Sequence, residues 1–290
     1  MTAEPTMPMH VPPGHHYSPI PSAADLRRVE PTDGPGPREI PGVDLREPQQ
    51  WDLVRSLLGQ YPEVADWLDS DRPRQFKLDN TWFFGSDAVF FALMLRHLQP
   101  RRLVEVGSGF SSALALDVSA AYLNNGICFT FIDPNTSRLQ DLLGVEPTAA
   151  TVVAAPVQDV ALDVFDQLGH NDVLAIDSSH VMKAGSDVHH LLLHVLPRLQ
   201  PGVVVHIHDI FHPFEYPRSW LATGTALNEA YALRAVLQSN DRVHVMLWNH
   251  FLQRFERQWF AQHMPLCLSA KSVTGGIWLR IGDDPGDPPR

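Results

Sequence analysis

The sequence is poor in cysteine and in basic residues. Of its 290 residues only Cys128 and Cys267 are cysteines, too few for the disulfide framework of a small secreted protein, so we expect a cytoplasmic location. Lys and Arg number 22 against 33 Asp and Glu, which leaves a formal net charge of −11. Proteins that bind nucleic acids present excess positive charge, so this balance excludes a nucleic-acid partner.

Long apolar runs are missing as well. No stretch reaches the roughly 18 apolar residues that a membrane-spanning helix needs, so the sequence predicts no membrane partner. The first 17 residues are rich in proline and histidine and hold no apolar segment, which is not the pattern of a secretory signal. With 44% hydrophobic residues the chain can nevertheless bury a substantial core.

Proline is concentrated at the N-terminal end of the chain. Because proline removes a backbone donor and blocks helices, we predict that residues 1–50 form an extended arm, which is either partly disordered or draped over the body of the protein or over a neighbouring subunit. An arm over a neighbouring subunit would make a homo-oligomer. Helical spacing over 51–69, with a break at Pro62, predicts a helical extension over 51–77. The main domain then covers 78–282, and 283–290 form a polar tail.

The main domain alternates between short apolar runs and amphipathic stretches. Amphipathic stretches predict helices over 86–98, 111–123 and 186–199, the last with Ser186 as its N-cap. Continuous apolar runs that alternate with helices are typical of an α/β protein with a doubly wound, mostly parallel sheet, whose ligands bind at the carboxyl ends of the strands. The runs are Leu103–Val106, Cys128–Ile132, Thr151–Ala155, Val173–Ile176, Val203–Ile207, Val243–Trp248 and Ile277–Ile281.

A glycine turn follows the first run. Gly107 and Gly109 allow a tight turn and a close approach of a ligand to the backbone, while Ser112 replaces the third glycine of a dinucleotide fingerprint. Glu105, inside the strand, would repel a pyrophosphate and suits a cationic or amine-bearing ligand. Asp133 ends the second run, where an acid can accept both hydroxyls of a ribose. The third run is followed by Val157-Gln158-Asp159, where an acid or an amide could meet an adenine edge, and we predict Asp159 for this role.

The segment Glu105-Val106-Gly107-Ser108-Gly109 resembles the first motif of class I S-adenosylmethionine-dependent methyltransferases, and Asp133 resembles their ribose-binding acid. The resemblance covers about residues 78–281. It implies a Rossmann-like sheet of seven strands, the last one antiparallel, and S-adenosylmethionine as cofactor. The alternative is a glycine turn in an NAD-type or a non-binding α/β protein. The cofactor-binding residues would be Glu105, Gly107, Ser108, Gly109, Ser111, Ser112, Asp133 and Asp159.

Two carboxylates and an imidazole follow the fourth and fifth runs. Asp177, His208 and Asp209 could converge and hold a divalent cation, or they could only cap loops and pack. The pattern is similar to metal-dependent small-molecule O-methyltransferases, including catechol-type enzymes and antibiotic-tailoring enzymes. That resemblance implies Mg²⁺ at these residues and a base three positions after the first acid, at His180. His208 stands where that group usually has an acid, and an imidazole favours Mn²⁺ or Fe²⁺ over Mg²⁺.

These expectations combine into an enzyme that methylates a small molecule, most simply a metal-bound hydroxyl deprotonated by His180, in natural-product tailoring. Lys183 is the competing base. Residues 82–84 are either core or a lid over the cofactor, and 212–217 could form a wall of the acceptor site. A metal-independent N- or C-methyltransferase and a non-catalytic cofactor-binding module are the alternatives.

Overall fold

The computed structural model describes residues 10–29, 36–144, 150–269 and 273–282, and a seven-stranded sheet lies at its centre. The strand order is β3-β2-β1-β4-β5-β7-β6, with parallel pairing throughout except that β7 runs antiparallel to β5 and β6. This confirms the predicted α/β class and the antiparallel last strand. The strands are β1 (Arg102–Val106), β2 (Cys128–Ile132), β3 (Ala150–Val153), β4 (Val173–Ile176), β5 (Val204–His208), β6 (Val243–Trp248) and β7 (Gly276–Ile281).

Helices cover the sheet. They are α1 (Ala23–Leu26), α2 (Glu47–Leu57), α3 (Tyr61–Asp69), α4 (Gly85–Leu98), α5 (Phe110–Tyr122), α6 (Ser137–Leu143), α7 (Asp163–Asp166), α8 (Asp187–His190), α9 (Arg218–Leu221), α10 (Glu229–Leu237), α11 (Asn249–Phe255) and α12 (Arg257–His263). Short 3₁₀ turns lie at Val157–Asp159 and Pro265–Leu268. Helix α4 is buried along most of its length, as expected of a helix that is apolar on nearly all sides. Within the described ranges, no helix has the length and apolar character to cross a membrane.

The helix predicted over 186–199 forms in three pieces. The Ser186 hydroxyl accepts the backbone N–H of His189, so it caps α8 as predicted. A π-helical turn over Leu191–Val195 and a 3₁₀ turn over Leu196–Arg198 then continue the segment. Pro197, which lacks an N–H and cannot extend an α-helical ladder, lies in that last turn.

The register of the parallel strands brings four strand ends to one edge. Val106 pairs with both Ile132 and Ile176, and Ile176 pairs with Ile207, so β1, β2, β4 and β5 end side by side. The loops that follow these strands therefore meet at the carboxyl edge of the sheet, where α/β proteins bind their ligands.

The described parts of the N-terminal arm pack on the protein's own body. Ile40 and Val43 are buried, and the Ser239 backbone N–H donates to the Gly42 carbonyl at 2.9 Å. The predicted helical extension consists of α2 and α3, and α2 starts at Glu47 because Pro48 fits the first turn of a helix. The domain boundaries stay predictions, and the predicted tail over 283–290 lies outside the described residues.

Candidate active site

Two adjoining cavities open at the carboxyl edge of the sheet. The first has a volume of about 470 Å³ and the second about 550 Å³. They share part of the glycine turn and the ends of β2 and β4, so one elongated ligand can occupy both. The residues common to the two linings are Gly107, Ser108, Asp133, Arg138, Asp177 and Ser178.

The glycine turn after β1 lies directly against the end of β4. Gly107 has a φ of +85°, and a Cβ added to it would lie 1.8 Å from the carbonyl oxygen of Asp177. Both the backbone conformation and the close approach therefore require glycine. The backbone N–H of Ser108 donates to Asp133 Oδ2 at 2.8 Å, which ties the turn to the neighbouring strand end.

Asp133 lies where the two cavities join. Its Oδ1 accepts the Asn135 backbone N–H at 2.8 Å, so backbone donors hold both carboxylate oxygens in place. The Ser108 hydroxyl also donates to Oδ2, at 3.2 Å, so the remaining lone pair for a ligand hydroxyl, as a ribose would require, lies on Oδ1. The second cavity extends from Asp133 to Pro156–Gln158 beyond β3, which is where a nucleobase attached to that ribose would lie.

Glu105 lies behind the turn and is absent from the lining of both cavities. It is fully buried, and its two carboxylate oxygens accept the hydroxyls of Ser111 and Ser112 at 2.5 Å each. Burial raises the pKa of Glu105 to about 8, although the two hydroxyls oppose that shift. The structure thus places Glu105 and Ser112 in the support of the turn, and only Ser111 of this trio lines a cavity.

Asp159 also lies away from the cavities. It is exposed, because the 3₁₀ turn that follows β3 directs Val157 into the core and leaves Asp159 on the solvent side. The neighbouring Gln158 lines the second cavity instead. The predicted placement of Asp159 at an adenine edge therefore does not agree with the geometry. The sequence does not show the 3₁₀ turn that decides which of these adjacent side chains faces the cavity.

Four side chains from the ends of β4 and β5 converge on one wall of the first cavity. Asp177 Oδ1 lies 3.5 Å from His180 Nε2 and 3.3 Å from His208 Nδ1. Asp209 Oδ2 lies 3.7 Å from the same His180 atom and 3.6 Å from the same His208 atom. The structure therefore brings together the predicted base and the three predicted metal ligands.

Each imidazole has a buried carboxylate behind it. His180 Nδ1 lies 2.8 Å from Oε2 of Glu229, a fully buried residue at the start of α10. His208 Nε2 lies 3.3 Å from Asp87 Oδ2. The amide of Asn249 in turn donates to Asp87 Oδ1 at 2.6 Å. In both histidines one ring nitrogen is thereby occupied and the other faces the carboxylates of the wall.

The charges of this wall set the protonation of its histidines. Burial lowers the pKa of His180, but bonding to Asp177 and Glu229 and the charge of Asp209 outweigh it and hold the pKa well above 6.5. His208 behaves alike: Asp209 and Asp177 overcome the effect of burial on its pKa. These raised pKa values favour the positively charged imidazolium form of both histidines, which pairs with the carboxylates of the wall.

The backbone is unusual at this wall. His180 has a φ of +57° and Asp209 a φ of +55°, both in the left-handed region that residues other than glycine rarely adopt. Such residues cost on the order of 1–3 kcal/mol and cluster at functional sites. The backbone N–H groups of Asn228 and Glu229 donate to the His180 carbonyl at 3.0 and 3.2 Å, which holds the conformation of His180.

The remaining sequence-based candidates separate clearly. Lys183 is exposed and lines the second cavity, so it does not share the wall with Asp177. Phe83 is buried, whereas Trp82 is 58% exposed at the first cavity, so the segment 82–84 supplies both core and rim. Residues 212–217 are absent from the lining of the first cavity, and Trp220 and other residues further along contribute to it instead.

Residues 104–210 match a family model described as a methyltransferase domain. The match runs from β1 to the end of β5 and includes the glycine turn, Asp133 and the wall of acids and imidazoles. The chain belongs to the class I S-adenosylmethionine-dependent methyltransferases. An uncharacterized protein of Archaeoglobus fulgidus is 32% identical to this methyltransferase over 169 residues, which cover 55% of this chain and 74% of that protein.

Several solved structures are similar to this methyltransferase at low identity. The O-methyltransferase TomG of Streptomyces achromogenes, involved in tomaymycin synthesis, is 14% identical, with a TM-score of 0.45 over 78% of this chain and 90% of its own. The methyltransferase PaMTH1 of Podospora anserina is 14% identical, with a TM-score of 0.43 over 86% and 100%. The TDP-rhamnose 3′-O-methyltransferase CalS11 is 16% identical, with a TM-score of 0.42 over 79% and 94%.

The sequence does not indicate three residues at the site of this methyltransferase. Asp87 and Glu229 stand behind the two histidines, and Arg138 lies where the cavities meet. Asp87 is 121 residues from His208 along the chain, and Glu229 is 49 from His180. An acid in the first turn of an otherwise apolar helix was the available signal for Asp87, but acids there commonly only complement the helix dipole.

Proposed function

We propose that this methyltransferase transfers the methyl group of S-adenosylmethionine to a hydroxyl of a small molecule, held beside a divalent cation. The observation that carries the proposal is the convergence of Asp177, His180, His208 and Asp209 on a cavity that also contains the glycine turn and Asp133. Methyl transfer from a sulfonium is an in-line displacement, so the acceptor oxygen must be aligned and deprotonated. The cavity joins groups suited to both tasks.

The donor set of the wall fits a divalent cation. His208 Nδ1 is buried and has no hydrogen-bond partner among the described residues, while Asp177 and Asp209 lie within 3.6 Å of it. Among the described residues, no group of three or more His, Cys, Asp or Glu side chains is arranged to hold a metal ion, so binding at this wall requires these side chains to move together. Asp177, His208 and Asp209 would hold the ion, and the imidazole favours Mn²⁺ or Fe²⁺ over Mg²⁺.

A bound divalent cation would lower the pKa of an acceptor hydroxyl and fix its oxygen in place. A cation there would offset the charges of Asp177 and Asp209, which otherwise keep His180 protonated. His180 is then the base, because its Nε2 faces the cavity and Glu229 holds its Nδ1. A buried carboxylate at that distance orients the ring and stabilises the imidazolium that forms when Nε2 takes a proton. Glu229 is in this proposal a positioning residue.

The first cavity also indicates the class of acceptor. Its volume of about 470 Å³ suits a small molecule, and its rim carries Trp82, Phe84, Phe110 and Trp220. Aromatic walls opposite a polar wall favour an acceptor with a flat apolar ring and adjacent hydroxyls. The acidic side chains of this cavity would repel a polyanion, which supports a small-molecule acceptor. Natural-product tailoring, the cytoplasmic location and the homo-oligomer stay predictions.

Metal binding is the direct test. Chelator-treated protein is titrated with Mn²⁺, and free Mn²⁺ is measured by electron paramagnetic resonance, for the wild type, Asp177→Asn and the surface control Asp166→Asn. We expect one Mn²⁺ per chain, at least about tenfold weaker binding in Asp177→Asn and unchanged binding in Asp166→Asn. Normal binding of S-adenosylmethionine without any Mn²⁺ or Fe²⁺ binding would favour the metal-independent N- or C-methyltransferase.

The base is tested with His180→Asn, which keeps a polar side chain and loses the proton acceptor. Methyl transfer to a panel of catechols is measured with the control His263→Asn, an exposed residue on α12. We expect kcat to fall about 10²-fold or more in His180→Asn, with unchanged affinity for S-adenosylmethionine. Full activity of this variant would remove His180 from the mechanism. Wild-type protein that binds the donor but transfers no methyl group would favour a non-catalytic binding module.

A further inference from the structure

Arg138, at the junction of the two cavities, is not used by the function proposed above. Its guanidinium carbon lies 4.2 Å from the ring centre of Trp82, and both residues line the first cavity. Among the described residues that line this cavity, Arg138 is the only Arg or Lys. Four aspartates line it as well: Asp87, Asp133, Asp177 and Asp209.

The side chain of Arg138 runs across the glycine turn. A Cβ added to Gly109 would lie 3.0 Å from Arg138 Cδ and 4.0 Å from its Nη1. The absence of a side chain at Gly109 thus leaves the space that the arginine occupies. No carboxylate of the described chain forms an ion pair with Arg138, and its charged group contacts the Trp82 ring and otherwise stays available.

Trp82 is exposed but its backbone is held. The Asn80 side-chain oxygen accepts the N–H groups of Trp82 and Phe83 at 2.9 and 2.7 Å, and the Asn80 amide donates to the Phe83 carbonyl. With Phe83 buried, this turn places the indole of Trp82 at the rim of the cavity. The indole is 58% exposed and is stacked on Arg138, so a ligand at the rim can contact both side chains.

The charges of the donor make the position of Arg138 informative. S-Adenosylmethionine carries a sulfonium and an ammonium, which an acidic cavity attracts, and a carboxylate, which the same cavity repels. If Asp133 takes the ribose and the second cavity takes the adenine, the methionine end enters the first cavity across the glycine turn. Arg138 is then the cation nearest to that path. Glu105, which the sequence suggested for this end of the donor, is occupied by two serine hydroxyls.

We infer that Arg138 binds the carboxylate of the methionine part of the donor and that Trp82 holds the guanidinium over the glycine turn. Arginine suits this task because its planar fork makes two parallel hydrogen bonds to a carboxylate. The inference rests on donor binding to this cavity, which belongs to the family, and does not depend on the metal or on the base. It assigns to Arg138 the discrimination between S-adenosylmethionine and analogues that lack the carboxylate.

The experiment compares two ligands on matched variants by isothermal titration calorimetry. The ligands are S-adenosylmethionine and decarboxylated S-adenosylmethionine, which keeps both positive charges. The variants are Arg138→Met, Arg138→Lys and, as a control, Lys183→Met, which removes a lysine that lines only the second cavity. We expect Arg138→Met to bind S-adenosylmethionine at least about tenfold more weakly and the decarboxylated analogue within about twofold of the wild type. The affinity of Arg138→Lys for S-adenosylmethionine should lie between those of the wild type and Arg138→Met. Lys183→Met should leave the ratio of the affinities for the two ligands unchanged.

Two further measurements separate this inference from its competitors. Trp82→Ala should weaken binding of S-adenosylmethionine more than binding of the analogue, whereas Trp82→Phe should keep the wild-type ratio. An equal loss for both ligands in Arg138→Met would overturn the inference and make the arginine a structural part of the turn.

A carboxylate on the acceptor is the other source of the same chemistry. If Arg138→Met weakens binding of 3,4-dihydroxybenzoate relative to catechol while donor binding is unchanged, the assignment to the donor is wrong. A wild type that binds neither donor ligand would instead contradict the family function itself.

Discussion

At the scale of single residues, burial gives chemically similar side chains different tasks. Glu105 and Asp133 are both acids at strand ends of the same edge, yet Glu105 is fully buried against two serines and Asp133 is held open between two cavities. The sequence placed both in contact with the cofactor because a one-dimensional pattern does not show the direction of a side chain at a strand end. The same holds for Asp159 and its neighbour Gln158.

The raised pKa of Glu105 predicts a specific pH dependence of stability. The folded-state pKa of about 8 lies above the ordinary value of 4.5, so the unfolded chain releases this proton at lower pH than the folded protein does. The contribution of protonated Glu105 to the free energy of unfolding is therefore fully present below about pH 4.5. It is lost as the pH rises toward 8, by on the order of 1 kcal/mol per pH unit. Glu105→Gln, which cannot ionise, should remove this loss.

Urea unfolding at pH 5 and pH 8 measures the effect, with the exposed Glu39→Gln as control. Between pH 5 and pH 8 the free energy of unfolding should fall less in Glu105→Gln than in the wild type. In Glu39→Gln it should fall by the same amount as in the wild type. Parallel pH profiles for all three proteins would show that Glu105 is ionised in the folded state.

At the scale of elements, the site depends on contacts among the ends of three strands, β1, β2 and β4. The turn after β1 lies against the carbonyl of Asp177 at the end of β4, and Ser108 bonds to Asp133 at the end of β2. The sequence predicted these strands closely because each is a continuous apolar run, and it predicted their common edge because parallel strands end together. Asp177, His208 and Asp209 could be grouped for the same reason.

Gly107→Ala tests this contact between elements. Its Cβ would lie 1.8 Å from the Asp177 carbonyl oxygen at a φ of +85°, so the turn or β4 must shift. We expect at least about 3 kcal/mol loss in the free energy of unfolding together with loss of donor binding. Gly59→Ala, where a Cβ would have nothing within 4 Å, is the matched control and should cost about 0.5 kcal/mol or less. Wild-type stability of Gly107→Ala would contradict the packing of the turn on β4.

At the scale of the whole molecule, the proline-rich arm contacts the segment between α10 and β6, far along the chain. The Gln238 amide donates to the Pro41 carbonyl, 197 residues away, and Ile40 is 4% exposed. Composition indicates an extended segment here, but composition cannot say what the segment covers. The answer depends on which apolar surface the rest of the fold leaves open.

The arm is tested with Ile40→Ser in the full chain. Loss of a buried side chain and burial of an unpaired hydroxyl should lower the free energy of unfolding by about 2–4 kcal/mol. Tyr17→Ser, at a residue that is 72% exposed, should change it by less than about 0.5 kcal/mol. Unfolding followed by circular dichroism measures both. Equal stability of the two variants would mean that residues near Ile40 do not pack on the body in solution.

The seven strands, the helices α2 to α5, the glycine turn and the acids and imidazoles at strand ends can be predicted from the amino-acid sequence alone. Apolar periodicity and turn chemistry are local properties, so they can be read along the chain. Other features become visible only in the folded protein: Glu105 supports the turn, Asp87 and Glu229 stand behind the histidines, and Arg138 crosses Gly109 to reach Trp82. These contacts join residues far apart in sequence, and their geometry follows from the packing of whole elements, which no local pattern encodes.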